Sequence, residues 1–358
     1  MKRRSLLKSI AGGCALSMPW PAGLARALAL PEAPAQTLKA MGKEKGKILG
    51  VFSGAHQLMT DPAAARLISS EFEMLAIGND LKMNRVHPEP DRYDFAGGDY
   101  DLAWSEKNGM LFRGHTLVWH NALPKWFDSY VNKSNAERVM TDHITTVVKH
   151  YAGKFYSWDV VNEPIHNDRP DQLRRKPWLD LIGPDYIDIA FRTAAAADSK
   201  AKLLVNECYI EQDLPAHDQR RDAYLQLITR LKKSGVPVSA VGIQGHLKAG
   251  APLSKAGMTN FLTALKDMNL EVLITELDVD DSVIPEPQVD EAVARTYQEF
   301  LEIVGPFAKV ITLEALQDIK ELPKRPDGFI PRPNLWDIEY RKKPAYAATQ
   351  KALSEFRN

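Results

Sequence analysis

Short apolar runs rich in β-branched residues recur along the chain, separated by longer amphipathic stretches. Eight such runs begin near Ile48 (ILGVFS), Met74 (MLAIG), Leu111 (LFRGHTLVW), Tyr156 (YSWDVV), Lys202 (KLLVNE), Ala240 (AVGIQGH), Glu271 (EVLITEL) and Val310 (VITLEAL). Runs of this kind read as strands buried on both faces, and their alternation with helical patterns reads as repeated βα units around a parallel sheet. Among the helical stretches, Ser134 to Tyr151 offers Ser134 as an N-cap, Glu137 as its capping-box partner and Val139, Ile144, Val147 and Val148 as an inner face. In Ala216 to Lys233, Tyr224, Leu225, Ile228 and Leu231 fall at helical spacing. Eight strand–helix units predict a single (β/α)8 TIM barrel, a fold that takes about 250 residues plus insertions. A two-domain doubly wound sheet is the second option.

The Pro-rich stretches Ser282 to Pro287 and Pro323 to Pro333 are short and charged, so they read as βα loops rather than interdomain linkers. Three regions follow. Residues 1–29 have a basic start (Lys2, Arg3, Arg4), an apolar stretch around Ile10 to Trp20 and small residues at Ala25, Ala27 and Ala29, the layout of an export signal. Arg3 to Lys8 resembles a twin-arginine signal, which implies export of a folded protein to the periplasm or the medium. Residues 30–46 are expected to be a loose N-terminus, and residues 47–358 the barrel domain. Cys14 would leave with the signal, so Cys208 would be alone and no internal disulfide could form.

The 358 residues are 44% hydrophobic and 26% charged, an ordinary globular balance. Lys plus Arg and Asp plus Glu are both 46, so the net charge of zero gives no field to attract nucleic acid or an anionic membrane. Outside the signal no stretch approaches the roughly 20 apolar residues needed to span a bilayer. A neutral partner fits best, and the chain is expected to be monomeric.

In such a barrel, chemistry belongs where strands end. The ends are rich: His115, Trp119 and His120 follow the third run, Asn162 and Glu163 the fourth, Asn206 and Glu207 the fifth, Gln244 and His246 the sixth, Glu276 and Asp278 the seventh. A lone carboxylate at a barrel mouth is as readily a salt-bridge partner or a cap. Five successive ends supplying carboxylate, amide, imidazole and indole are not needed for folding. No HExxH pair or Cys/His cluster suggests zinc, no GxSxG elbow a serine nucleophile, and no Walker A loop phosphate chemistry. The expectation is a site needing neither metal nor cofactor. Two glutamates with an aromatic rim suit sugar chemistry: one carboxyl protonates the leaving oxygen, the other attacks the anomeric carbon, and indole faces stack on pyranose C–H groups.

At these positions the chain resembles glycoside hydrolase family 10, the endo-β-1,4-xylanases. The resemblance rests on RGHTLVWH (Arg113 to His120), WDVVNEP (Trp158 to Pro164), GIQGH (Gly242 to His246) and TELD (Thr275 to Asp278), then NLWD (Asn334 to Asp337) and KPAY (Lys343 to Tyr346). It runs from Lys47 to the end. It implies a retaining enzyme acting on polysaccharide or oligosaccharide, with Glu163 as acid/base and Glu276 as nucleophile. It implies that Asn162 donates to the 2-hydroxyl of the cleaved sugar, and that Gln244 and His246 orient the nucleophile and that sugar. Asn79, Lys82, His115 and Trp119 match the family's glycone-side contacts. The pair Asn206-Glu207, where the family has Asn-Asp, is expected to be structural.

Two motifs depart from the family. For TxENxMKW the chain has Ala76 to Met83, with Gly78 in place of a sugar-binding Glu and Met83 in place of a Trp. For WGVxD it has Glu314, Ala315, Leu316, Gln317 and Asp318, and a second Trp has no counterpart near Leu322. The missing indoles predict looser selectivity for xylose over hexose, unless Trp336 or Phe329 fills the gap. A related β-glycosidase of xylo-oligosaccharides, aryl glycosides or a hexose-containing glycan is therefore the alternative. A catalytically silent sugar-binding barrel is disfavoured because both carboxylates and their supporting groups are present.

Overall fold

The computed structural model describes residues 36–166, 172–325 and 327–356. The expected export signal, residues 1–29, lies outside them. Among the described residues nine strands form: β1 Ile48–Ser53, β2 Met74–Ile77, β3 Leu111–Gly114, β4 Ser157–Asn162, β5 Lys202–Glu207, β6 Ala240–Ile243, β7 His246–Lys248, β8 Glu271–Asp280 and β9 Ala308–Leu313. All pairings are parallel, β1 joins β2 to β9, and β6 pairs with β8. Eight strands thus close into a barrel with helices outside, the (β/α)8 architecture. Each of the eight apolar runs supplies one strand. The short β7 is an addition that lies beside the far end of β8, with His246 level with Asp278.

Period-two alternation explains how the barrel is filled. Ile48, Met74, Leu204, Ala240, Leu273 and Val310 form an apolar cluster separate from the main core. We read it as the barrel floor, because the same strand face two residues further on carries Asn206, Gly242, Thr275 and Thr312. The interior turns polar toward the strand ends. Gly242 has a steric reason: a Cβ there would lie 2.3 Å from Asn206 Oδ1. The much larger core lies between strands and helices and includes Trp158, Tyr224, Phe191 and Phe300, all fully buried.

Three expectations need correction. Within the segment expected to be loose, Leu38–Glu44 is a helix capped by Thr37, whose Oγ1 accepts from Ala40 N at 3.2 Å. Tertiary contacts hold this single short helix: Leu38 is buried and its N–H donates to Glu71 Oε2 at 2.9 Å. The capping box is also absent. That helix runs Ala136–His150, and the Ser134 hydroxyl donates instead to Asn132 Oδ1 at 2.6 Å, because a nearby Asn competes for it. Finally, Trp336 does not fill the gap left by the missing indoles. It is fully buried, edge-on to Phe72 and Tyr346.

The closing motifs act as a clasp. The Lys343 ammonium donates to Asp318 Oδ2 and to the Arg332 carbonyl, both at 2.8 Å, fastening the long final loop to the segment after β9. Glu71 joins the first and last described helices: its Oε2 accepts from Leu38 N and from the Tyr346 hydroxyl at 2.9 Å, and Lys342 lies 3.2 Å from Oε1. Breaking a buried network strands its donors, so Glu71→Ala should lower unfolding free energy by about 2 to 4 kcal/mol. Urea unfolding measures it, with kcat of the folded protein unchanged; a loss below about 0.5 kcal/mol would show that the clasp adds nothing.

Candidate active site

Strand register sets the site. Asn162 at the end of β4 is level with Asn206 on β5, and Asn206 is level with Gly242 on β6. Asn206 Nδ2 donates to Asn162 Oδ1 at 2.9 Å and to Glu276 Oε1 at 2.6 Å, while its own Oδ1 accepts from the Thr275 hydroxyl at 2.7 Å. Asn162 Nδ2 and Gln244 Nε2 each lie 3.3 Å from Glu163 Oε1. The two carboxyls are therefore linked through two asparagine amides. Glu163 has φ +53, a left-handed conformation uncommon for a non-glycine residue. Its N–H donates to the Asn206 carbonyl and its carbonyl accepts from Arg174 Nε, both at 2.8 Å, so the backbone is pinned on both sides.

Glu276 is buried among cationic and polar groups. His246 Nε2 is 3.5 Å from Oε2, and His115 Nδ1 is 3.9 Å from Oε1. Each imidazole is held by an aspartate at 2.7 Å, His246 by Asp278 and His115 by Asp159, which in turn pairs with fully buried Arg113. Burial alone would raise the carboxyl of Glu276, but His115, His246 and Arg113 outweigh it and hold it at about 2. Burial likewise lowers His246, and the charges of Asp278 and Glu276 overcome this and hold it well above the ordinary imidazole value. Atoms of His115, Asp159 and Glu276 lie within 4.8 Å of one another, a set that could hold a metal ion; each already has a hydrogen-bond partner here or an imidazole beside it.

A cavity of about 390 Å³ opens beside Glu276, lined among others by Asn79, Lys82, His115, Glu314 and Ala315. Lys82 Nζ lies 5.3 Å from the centre of the Trp119 ring, and Trp178 Nε1 donates to the Trp119 carbonyl at 2.9 Å. His120 Nε2 is 3.8 Å from Glu163 Oε2; burial and the charge of Arg174 push this imidazole down to about 4, so it is neutral. His120 also borders a second hollow of about 480 Å³ with Arg174 and Lys176.

All nine expected site residues thus gather at one barrel mouth, with two adjustments. The Gln244 side chain reaches Glu163 and Asn162 while its main-chain carbonyl accepts from Glu276 N at 2.9 Å, so of the expected pair only His246 touches the carboxylate of β8. Asn206 and Glu207 part company. Glu207 points outward, accepting from Ile165 N and Cys208 N at 2.9 and 3.0 Å beside Arg220, and burial pushes its carboxyl up to about 7 despite that arginine. It is structural as expected, whereas Asn206 sits at the centre of the site. Strand alternation was the signal that could have separated them. Asp159, which orients His115, was missed because it lies inside β4 rather than at its end.

Two carboxyls joined through amides at a barrel mouth, beside a cavity lined with amide, ammonium and imidazole side chains, are the equipment of a glycoside hydrolase. The family model described as Glycosyl hydrolase family 10 matches residues 37–352. The chain belongs to that family. It is 36% identical over 256 residues to a β-1,4-xylanase of Dictyoglomus thermophilum, spanning 69% of this chain and 70% of that protein. Its fold is similar to that of xylanase 10B from Thermotoga maritima, with a TM-score of 0.82 and 30% identity over 89% of this chain and 98% of that one. Xylanase 10B from Thermotoga petrophila, solved with xylobiose, gives 0.81 and 29% over 89% and 97%.

Removing the Asn206 side chain strands a carboxylate oxygen and an amide at once. Asn206→Ala should lower kcat/KM by roughly 10- to 100-fold, the value of one or two hydrogen bonds to a charged group. A loss under threefold in steady-state assays of the folded variant would reduce Asn206 to filler. His246→Asn removes a cation beside Glu276, so the carboxyl should rise from about 2 toward the ordinary carboxylate range. A group with a depressed value is ionised above it, so activity dependent on its charge is lost only as pH falls through that value. The acid limb of kcat/KM in His246→Asn should therefore move to higher pH than in the native enzyme; an unmoved limb would show that His246 does not set the charge on Glu276.

Proposed function

We propose that the enzyme is a retaining endo-β-1,4-xylanase working by double displacement. The observation that carries the reading is the hydrogen-bonded bridge Glu276–Asn206–Asn162–Glu163. It holds one carboxyl charged in a buried niche and the other at the rim, as a nucleophile and an acid/base require. The relatives and solved structures named as xylanases support the substrate.

In the first step the ionised Glu276 oxygen attacks the anomeric carbon while Glu163 gives its proton to the departing glycosidic oxygen. Asn162 donates to the 2-hydroxyl of that sugar: the bond to Asn206 keeps its amide oriented, and of the two Nδ2 hydrogens one faces Glu163 and the other is available to the sugar. Asn79, Lys82, His115 and Trp119 receive the glycone. In the second step Glu163, now a carboxylate, takes a proton from water, which displaces Glu276 from the glycosyl-enzyme. Two inversions at one carbon give net retention. A long chain would occupy the cavity beside Glu276 and continue past Glu163 into the hollow bordered by His120, which supports cleavage at internal bonds. No metal or cofactor has a step to perform. Among the described residues no helix is long and apolar enough to cross a membrane. The basic start and apolar stretch of residues 1–29 support export to the periplasm or beyond, and we take the enzyme to be a monomer.

Glu276→Gln should abolish turnover of every substrate, since an amide cannot form the glycosyl-enzyme. Glu163→Ala should slow xylan far more than aryl xylobiosides with good leaving groups, which depart with little protonation. Early proton NMR of the products should show the β-anomer. Near-native turnover in the first variant, equal losses in the second, or an initial α-product would each overturn the assignment.

A further inference from the structure

Glu314 follows directly on β9, with its N–H donating to the Leu277 carbonyl at 3.1 Å. Its side chain lines the cavity beside Glu276, and no described residue gives its carboxyl a hydrogen bond or ion pair. The next residue is Ala315, and Trp336, fully buried elsewhere, puts no indole against this wall. Glu314 is half-buried and its carboxyl is open to the cavity, so water can satisfy it until a ligand that carries its own hydrogen-bonding group takes that water's place.

The ring of a bound sugar indicates which group that is. Asn79, Lys82 and His115 approach from β2 and β3, and Asn162 and Gln244 from β4 and β6. A pyranose whose 2- and 3-hydroxyls face those side chains turns its opposite edge, C5 and its substituent, toward β9. In xylose that position bears only hydrogen; in a hexose it bears a hydroxymethyl group.

We propose that Glu314 is a substrate-contacting specificity residue whose carboxyl hydrogen-bonds the hydroxymethyl group of a hexose held at Glu276, so that the enzyme cleaves β-glucosides alongside β-xylosides. The inference rests on Glu276 being the nucleophile. Burial, then the charge of Glu276, pushes the Glu314 carboxyl up to about 8. At neutral pH it is a carboxylic acid able both to donate and to accept, as a hydroxyl partner requires. An acidic sugar does not fit, because its carboxylate would face Glu276 and Asp278.

The test is the ratio of kcat/KM for matched aryl β-cellobioside and aryl β-xylobioside at neutral pH, in the native enzyme, Glu314→Ala and Glu314→Gln. A hydrogen bond to the hydroxymethyl group predicts that the alanine variant loses roughly tenfold in the cellobioside-to-xylobioside ratio, while glutamine keeps it within about threefold. An enlarged wall without recognition predicts the reverse for alanine, an unchanged or rising ratio. That result, an equal fall in both variants, or a native enzyme that cleaves xylobioside but not cellobioside would overturn the role of Glu314. A native enzyme that cleaves neither would instead overturn the assigned activity, and this inference with it.

Discussion

A carboxylate taken out of water at the bottom of a cleft must be surrounded by donors or it will bind a proton, and Glu276 is the group around which the rest of the site is arranged. Three strands contribute to that requirement. β3 brings His115, β5 brings Asn206, β7 brings His246, and each has an anchor of its own in Asp159, Thr275 or Asp278. Arg113 sits behind Asp159 with no exposure at all. Two of the anchors, Asp159 and Asp278, set a carboxylate behind an imidazole, and Asp159 is paired in turn with Arg113. A parallel barrel suits this task because every strand ends at the same rim.

The same arrangement controls the distance between the two carboxyls. Asn162 and Asn206 are level across a strand pair, so the bridge they form has a length set by sheet spacing rather than by flexible side chains. Room for it comes from the absence of a side chain at Gly242. Glu163 meets the bridge from a left-handed backbone held by main-chain bonds, which turns its carboxyl inward where an extended residue would carry on along the strand direction.

Much of this was legible in the sequence because barrel strands are apolar on both faces and polar residues ending them stand out. All eight runs became strands, and the residues chosen at their ends converge. What was not legible has specific causes. Asn206 and Glu207 are adjacent in sequence, and treating them as one unit ignored that neighbours in a strand face opposite ways. The helix Leu38–Glu44 is too short to be stable alone and leaves a weak pattern. The helix beginning at Ala136 had the residues of a capping box, but Asn132 drew the serine away. Whether Trp336 faced the site or the core depended on packing of the last loop, which no local pattern encodes. The polar character of the wall at Glu314 was plain in the sequence, while its lack of a partner was not.

The contact between the first and last helices of the barrel domain has a further consequence. Lys45 Nζ donates to the carbonyls of Ser354 and Phe356 at 2.8 Å, and the helix Leu38–Glu44 precedes β1 on the face where the strands begin. The cleft opens on the other face, where they end. A tether, support or fused module attached just before the helix Leu38–Glu44 or just after Phe356 would therefore leave the substrate entrance pointing away from the point of attachment, and joining those two points by a short linker to open the chain elsewhere would require no rearrangement of the barrel.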